Sequence, residues 1–289
     1  MGFEAPQRLV RALGESDPWL GRLPGIAEET VARLGLRVER VLAPGGRSGL
    51  IVLVRLADDT PATLKLAPGS AAPELERAAL AHWDGWGAAR ALPVSGTGDA
   101  LVLERLHPEV SLRSLPEAKA LLEAAGVVRR LWVAPPAGHG FETVAERTER
   151  QARVLRGVDD PLAAAALAAR DELVSDPAET FLLHGAFRQG KVLAADRAPW
   201  LAVGPEPVVG ERAYDLARLV RDRAEDLVAA SSGPSAARRR VNRLADSLEV
   251  DGARLRGWVL FRAVESGMRA LEAGRSREAE STLEFASWL

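Results

Sequence analysis

The chain contains no cysteine, which excludes disulfide frameworks and thiolate chemistry together. Its four histidines are scattered, with none spaced for paired ligation, so the sequence offers no zinc site. Charge of either sign never accumulates: the formal net charge is -2, which leaves no electrostatic footprint for nucleic acid or for an anionic membrane as partner. The short run Arg238-Arg239-Arg240, set among Ser and Ala in a helical stretch, reads as a solvated helix face. No apolar stretch approaches the ~20 residues that span a bilayer. The opening MGFEAPQRLV lacks the apolar region of a signal peptide, so a cytoplasmic protein is expected. Lysine is also scarce, with only Lys65, Lys119 and Lys191 among 38 Lys and Arg. In a chain that otherwise uses arginine, a lysine is expected where a compact point charge is wanted, as beside a phosphate.

With 289 residues, of which 47% are hydrophobic and 27% charged, the chain can bury a substantial core as one large domain or two lobes. One or two helices are expected before Leu34, with Pro24 opening the second. The pattern then turns to β: residues 36–42, 50–56 and 62–66 form a meander, joined by a Pro44-Gly45-Gly46-Arg47-Ser48-Gly49 turn and by residues 57–61. A helix over Pro73–Trp83, a strand near Ala91–Val94 and a strand-like run at 100–106 complete a five-stranded antiparallel sheet with one helix. After Pro108 the periodicity is helical, over 116–132, 141–155, 161–173, 214–230, 236–248, 252–273 and 278–288. The fold class is therefore α+β, with an N-terminal lobe over 1–106 and a mainly helical lobe over 107–289. Within the latter, Leu182-Leu183 and Trp200–Val203 are short apolar runs, each followed at once by a Gly-bearing loop, a layout that aims loop side chains from strand ends.

Those two loops carry a resemblance. His184-Gly185-Ala186-Phe187-Arg188-Gln189-Gly190-Lys191 and Pro199-Trp200-Leu201-Ala202, followed by Gly204-Pro205-Glu206-Pro207, resemble the aminoglycoside and hydroxyurea antibiotic phosphotransferases, a branch of the protein-kinase-like fold. Trp83–Ala88 and Leu255–Trp258 extend the likeness over nearly the whole chain. The resemblance implies a bilobal fold and ATP as cofactor. Gly46 and Ser48 would lie in the turn over the phosphates, and Lys65 and Glu76 would form the ion pair that positions them. Backbone around Glu104 and Leu106 would bond adenine. A bare Gly-Gly turn, a strand-edge Lys and an exposed helical Glu are each ordinary features as well.

The same family pattern, His-Gly-Asp-Leu-His-x-x-Asn followed by Asp-Pro-x-Pro, is broken where it reacts. Ala186 stands at the catalytic Asp, Arg188 at the second His, Lys191 at the metal-binding Asn and Gly204 at the metal-binding Asp. His184 and Asp215 remain as frame, with Asp215 expected to hold the loop backbone. The resemblance thus implies a pseudokinase with no catalytic residue and no magnesium bound in the family manner, serving as a binding or regulatory module for a small molecule or a protein. The alternative is a weak or altered phosphotransferase acting on an alcohol group of an antibiotic or secondary metabolite, or an old cleft used for different chemistry. Glu206 would be its replacement metal carboxylate, although Pro205 and Pro207 oppose the strand continuation it needs. Lys191 has two readings. It replaces the lost magnesium beside phosphates, together with Lys65, or it points to solvent or pairs with Glu206.

Overall fold

Two helices lead the chain in the computed structural model, which describes residues 2–93, 98 and 100–289: α1 (Gln7–Leu13) and α2 (Pro18–Arg33). The Asp17 carboxylate caps the Trp19 N–H at 2.8 Å, and Pro18 sits in the first turn, where a missing N–H costs nothing. Pro24, expected to open a helix, lies inside α2 instead. The start at Asp17-Pro18 and a buried face of Trp19, Leu23, Ala27 and Thr30 carry the helix through it.

Strands β1 (Arg37–Val41), β2 (Leu50–Arg55), β3 (Pro61–Leu66) and β4 (Ala100–Glu104) form one antiparallel sheet in that order. Leu50, Val52, Val54, Ala62, Leu64, Leu66, Ala100 and Val102 share one face and build a core with Leu9, Trp19 and Leu23. Lys65 lies between Ile51 and Leu101 in register, so the alternation of the strand turns it to the opposite face. Helix α3 runs over Pro73–Trp83, as expected. The expected fifth strand is reduced to a single bridge between Ala91 and Leu103, flanked by the Leu92 N–H to Val102 O and the Glu104 N–H to Arg90 O bonds. Pro93 follows at once and has no N–H to continue the ladder; Val94, the expected end, lies outside the described residues.

The remaining helices are α4 (Glu117–Leu131), α5 (Val144–Ala152), α6 (Pro161–Ser175), α7 (Arg212–Val220), α8 (Ala224–Val228), α9 (Gly233–Leu248), α10 (Gly252–Glu272) and α11 (Ser276–Ala286). Helix α5 starts later than Phe141 because Thr143 and Glu146 form a reciprocal capping box. The single helix expected over 214–230 breaks into α7 and α8, with Arg223 at φ 56° between them. Helix α10 packs against α6, α7 and α11, and its Trp258 meets Tyr214 edge-on at 5.2 Å. Arg238 and Arg239 are exposed, but Arg240 is buried. It donates to Val220 O at 2.8 Å and pairs with Glu117, because successive helix positions point about 100° apart. Among the described residues no helix is long and apolar enough to cross a membrane.

Five short strands complete the structure: β5 (His107–Ser111), β6 (Phe181–Leu183), β7 (Val192–Ala194), β8 (Trp200–Ala202) and β9 (Val208–Gly210). They form a three-stranded sheet in the order β5-β7-β8 and the antiparallel pair β6-β9. The chain divides into two compact units, Met1–Glu109 with Leu193–Leu201, and Val110–Val192 with Ala202–Leu289. A single boundary at 106/107 does not anticipate the excursion at 193–201. Arg197 accounts for it: its guanidinium donates to Gly85 O at 2.9 Å, to Ala88 O at 2.8 Å and to the Glu104 carboxylate at 2.7 Å. Asp196 pairs with His107 Nε2 at 2.8 Å.

Candidate functional site

In the first unit, the register that turns Lys65 away from the core brings it to Glu76 of α3. The ammonium donates to Glu76 Oε2, and both side chains are buried. The pair expected from the resemblance is therefore present. Glu76 Oε1 has no hydrogen-bond partner among the described residues. The turn holding Gly46 and Ser48 is shaped by close backbone approach: a Cβ on Gly49 would stand 2.3 Å from Leu66 O, and one on Gly46 would stand 3.1 Å from Gly49 O. Gly49, which sequence reasoning left as an ordinary turn residue, is thus the steric hinge of this turn. Glu104 is committed to structure. Its N–H bonds Arg90 O at 3.0 Å, and its carboxylate takes the Arg90 N–H at 2.7 Å and Arg197, so its N–H is not available to adenine. Leu106 is buried.

In the second unit, the loop after β6 is held from below by one carboxylate. Asp215 on α7 accepts the His184 N–H at 3.0 Å and the Gly185 N–H at 2.8 Å, which is the backbone-holding role the sequence implied. Burial raises its pKa, while the two N–H groups and Arg262 favour its charged form. Arg262 of α10 reaches over the Tyr214 ring at 4.1 Å and donates to Tyr214 O at 2.9 Å and Gly185 O at 2.8 Å. Gly185 adopts φ 73°, and a Cβ there would stand 1.9 Å from Glu206 O. No other residue fits. His184 is fully buried; Nδ1 accepts the Ala186 N–H at 3.3 Å, which leaves the Nε2 proton for Val203 O at 3.2 Å. Burial, reinforced by Lys191, lowers its pKa to about 3, so the ring is a neutral strut.

The positions where the family pattern reacts sit on this frame. Ala186 is fully buried, and a methyl group has no proton affinity to offer. The Gln189 N–H donates to Asp222 Oδ2 at 2.6 Å, fixing the last turn of the loop before Lys191. Lys191 Nζ donates to Gly204 O at 2.7 Å and to Glu206 Oε1 at 3.1 Å. The structure thus pairs Lys191 with Glu206. Burial lowers its pKa to about 8, with the Glu206 charge opposing that fall. The Glu206 carboxylate is held well below the usual range, first by Lys191, and Arg218 lies 3.9 Å from its other oxygen. Arg147 donates to Glu206 O at 2.7 Å and Pro207 O at 2.9 Å, pinning the backbone of that loop. These residues do not fit a divalent ion. Gly204 has no side chain, Lys191 is a cation, Glu206 is spoken for by two cations, and no group of three or more His, Asp or Glu that could hold a metal occurs among the described residues. Lys65, by contrast, fits a nucleotide phosphate in kind, as a buried ammonium positioned by one carboxylate.

Sequence reasoning missed Arg147, Arg218 and Arg262. Arg262 carried one signal, a lone cation in the apolar run Trp258-Val259-Leu260-Phe261-Arg262-Ala263-Val264. Arg147 and Arg218 had none, because amphipathic helices show such residues on their solvent faces.

A sheet with one helix bearing a buried Lys-Glu pair, and a helical unit bearing a His-Gly loop held by an Asp, define a kinase-like phosphotransferase fold. A solved aminoglycoside phosphotransferase APH(4)-Ia superposes with a TM-score of 0.62 at 15% identity, covering 91% of this chain and 96% of that one. Residues 34–274 match the family described as aminoglycoside/hydroxyurea antibiotic resistance kinase, and the chain belongs to that family. It is 32% identical over 285 residues to a streptomycin 6-kinase of Streptomyces glaucescens, covering 94% of this chain and 92% of that protein. It is 33% identical over 264 residues to a hydroxyurea phosphotransferase of Kitasatospora aureofaciens, covering 87% and 74%.

Proposed function

We propose that this family member is a pseudokinase: a protein that binds a nucleotide or a related small molecule through Lys65 and does not transfer phosphate. The observation that carries the reading is the fully buried methyl of Ala186 at the position of the catalytic base, on a loop otherwise held as a working loop would be. A positioned general base contributes ~10²–10⁴ in rate, and a metal Lewis acid several kcal/mol more. Losses within one catalytic unit do not simply add, but the base alone costs at least ~10²-fold. The alternative, a phosphotransferase rescued by Glu206, is opposed by the two cations that already hold that carboxylate.

The test is a coupled assay for ADP release with streptomycin and with hydroxyurea, run beside Lys65→Ala. No substrate-dependent release above that variant is expected; sustained turnover would overturn the proposal. A thermal-shift panel of nucleotides with and without Mg²⁺ reads binding separately, since a ligand of the native state raises its melting point. A shift that Lys65→Ala abolishes is expected.

A further inference from the structure

The loop 184–191 and the loop 203–207 are joined by one ammonium. Lys191 Nζ lies 2.7 Å from Gly204 O and 3.1 Å from Glu206 Oε1, and beneath it the Val203 N–H donates to Lys191 O at 2.9 Å. Gly204 sits at φ 60°, and a Cβ built on it would stand 3.9 Å from Lys191 Nζ and 4.0 Å from Cε, with no other atom among its near neighbours. The direction in which a residue 204 side chain would leave the backbone is therefore open and faces the ammonium. The resemblance assigns metal-binding side chains to positions 191 and 204. Here one of those side chains is itself the positive charge, and the other is withdrawn to leave room for it.

We propose that Lys191 is a built-in cation that replaces the divalent ion. It gathers the Gly204 carbonyl and the Glu206 carboxylate as a metal would gather oxygen ligands, and so holds the two loops together without any metal. This deepens the pseudokinase reading, on whose alignment of 191 and 204 it rests. An ammonium is a compact, strongly hydrated point charge. It is left only 17% exposed here, and such burial is tolerated where oxygens replace the lost water. Its three N–H groups can serve two protein oxygens and one more acceptor, so the third remains for an anionic oxygen of a ligand. Arg218, 3.9 Å from the outer Glu206 oxygen, keeps the local balance positive.

The proposal makes the site convertible. Lys191→Asn with Gly204→Asp removes the ammonium and places an amide oxygen and a carboxylate beside Glu206, a set of oxygens suited to Mg²⁺ or Mn²⁺. Aspartate is among the residues that tolerate the left-handed backbone at 204. The experiment is a Mn²⁺ titration, without nucleotide, read by the electron paramagnetic resonance signal of free Mn²⁺ and by melting temperature. The wild-type chain is expected to bind no Mn²⁺ and to melt alike in Mg²⁺ and in EDTA. The double variant is expected to take up Mn²⁺, to gain melting temperature that EDTA reverses, and to lose that gain when Glu206→Gln is added. Metal uptake by the wild type, or a folded double variant that takes up none, would overturn the proposal.

If the double variant does not fold, Lys191→Met decides. Amide exchange at 189–191 and 203–206 is expected to rise roughly tenfold, equivalent to about 1.4 kcal/mol, and Mg²⁺ should not restore it. Unchanged exchange would overturn the role. Phosphoryl transfer by a wild type that binds no metal would defeat the pseudokinase reading and leave Lys191 standing. Metal uptake without transfer would do the reverse.

Discussion

The buried pair in the first unit and the loop in the second have diverged under the same family pattern. Lys65 and Glu76 keep both partners, in a setting where replacing an ion pair by apolar residues is often neutral or stabilising. The loop keeps His184, Gly185 and Asp215, which shape its backbone, while Ala186, Lys191 and Gly204 stand where the family pattern reacts. On the proposed reading, the residues that fold the site are kept and those that react in it are exchanged. On that reading, a buried pair of a kind that apolar residues can often replace, kept beside an altered loop, favours ligand binding over transfer.

The largest effect expected comes from breaking the pair. Lys65→Ala leaves Glu76 buried without its cation and should cost about 3–5 kcal/mol in urea unfolding. Lys65→Met with Glu76→Leu should recover most of that stability while abolishing the nucleotide thermal shift. If nucleotide still binds the double variant, the pair is structural and the contrast collapses. Next is Gly185→Ala, whose Cβ would stand 1.9 Å from Glu206 O; about 3 kcal/mol or more is expected. Gly204→Ala, with a similar φ and open space around it, should cost only about 1–2 kcal/mol. Equal costs would mean that position 204 is as constrained as 185.

Asp215→Ala strands two buried N–H groups and should cost about 2–4 kcal/mol, read as a lower melting temperature. A further effect is a slope. The pKa of His184 falls from 6.5 unfolded to about 3 folded, so below pH 6.5 the unfolded chain binds a proton that the native chain refuses. Its contribution to stability is whole above pH 6.5 and is lost as pH falls towards 3, at up to ~1.4 kcal/mol per pH unit. A His184→Gln variant should show a shallower acid limb in pH-dependent unfolding; an unchanged limb would mean that the ring charges readily in the fold.

Much of the architecture was legible because its signals are local. Pro73 opens α3, and the apolar runs at 50–56 and 62–66 mark β2 and β3. The loop positions were legible only through resemblance, since nothing in the residue types alone distinguishes Ala186 from any buried alanine. Pro24 misled because a proline at the start of a helix and a proline tolerated within one look alike when a stronger cap lies upstream. The break at Arg223 has no glycine or proline to announce it. The capping box at Thr143 and Glu146 was legible and was passed over in favour of Phe141. The partner of Lys191 was one of two readings, because the choice depends on where the Gly204 carbonyl and the Glu206 side chain lie, and that is tertiary geometry.

The connectivity of the chain has its own consequence. The first unit includes nine residues, Leu193–Leu201, taken from the middle of the sequence of the second, so no single cut releases either unit whole. A fragment beginning at Val110 would carry those residues without Gly85, Ala88 and Glu104, the acceptors of Arg197. A fragment ending at Glu109 would lack the guanidinium that gathers those same three groups. Domain swaps between relatives should therefore be made by exchanging 193–201 together with the N-terminal segment, and a chimera that splits them would be expected to yield a frayed, protease-sensitive product.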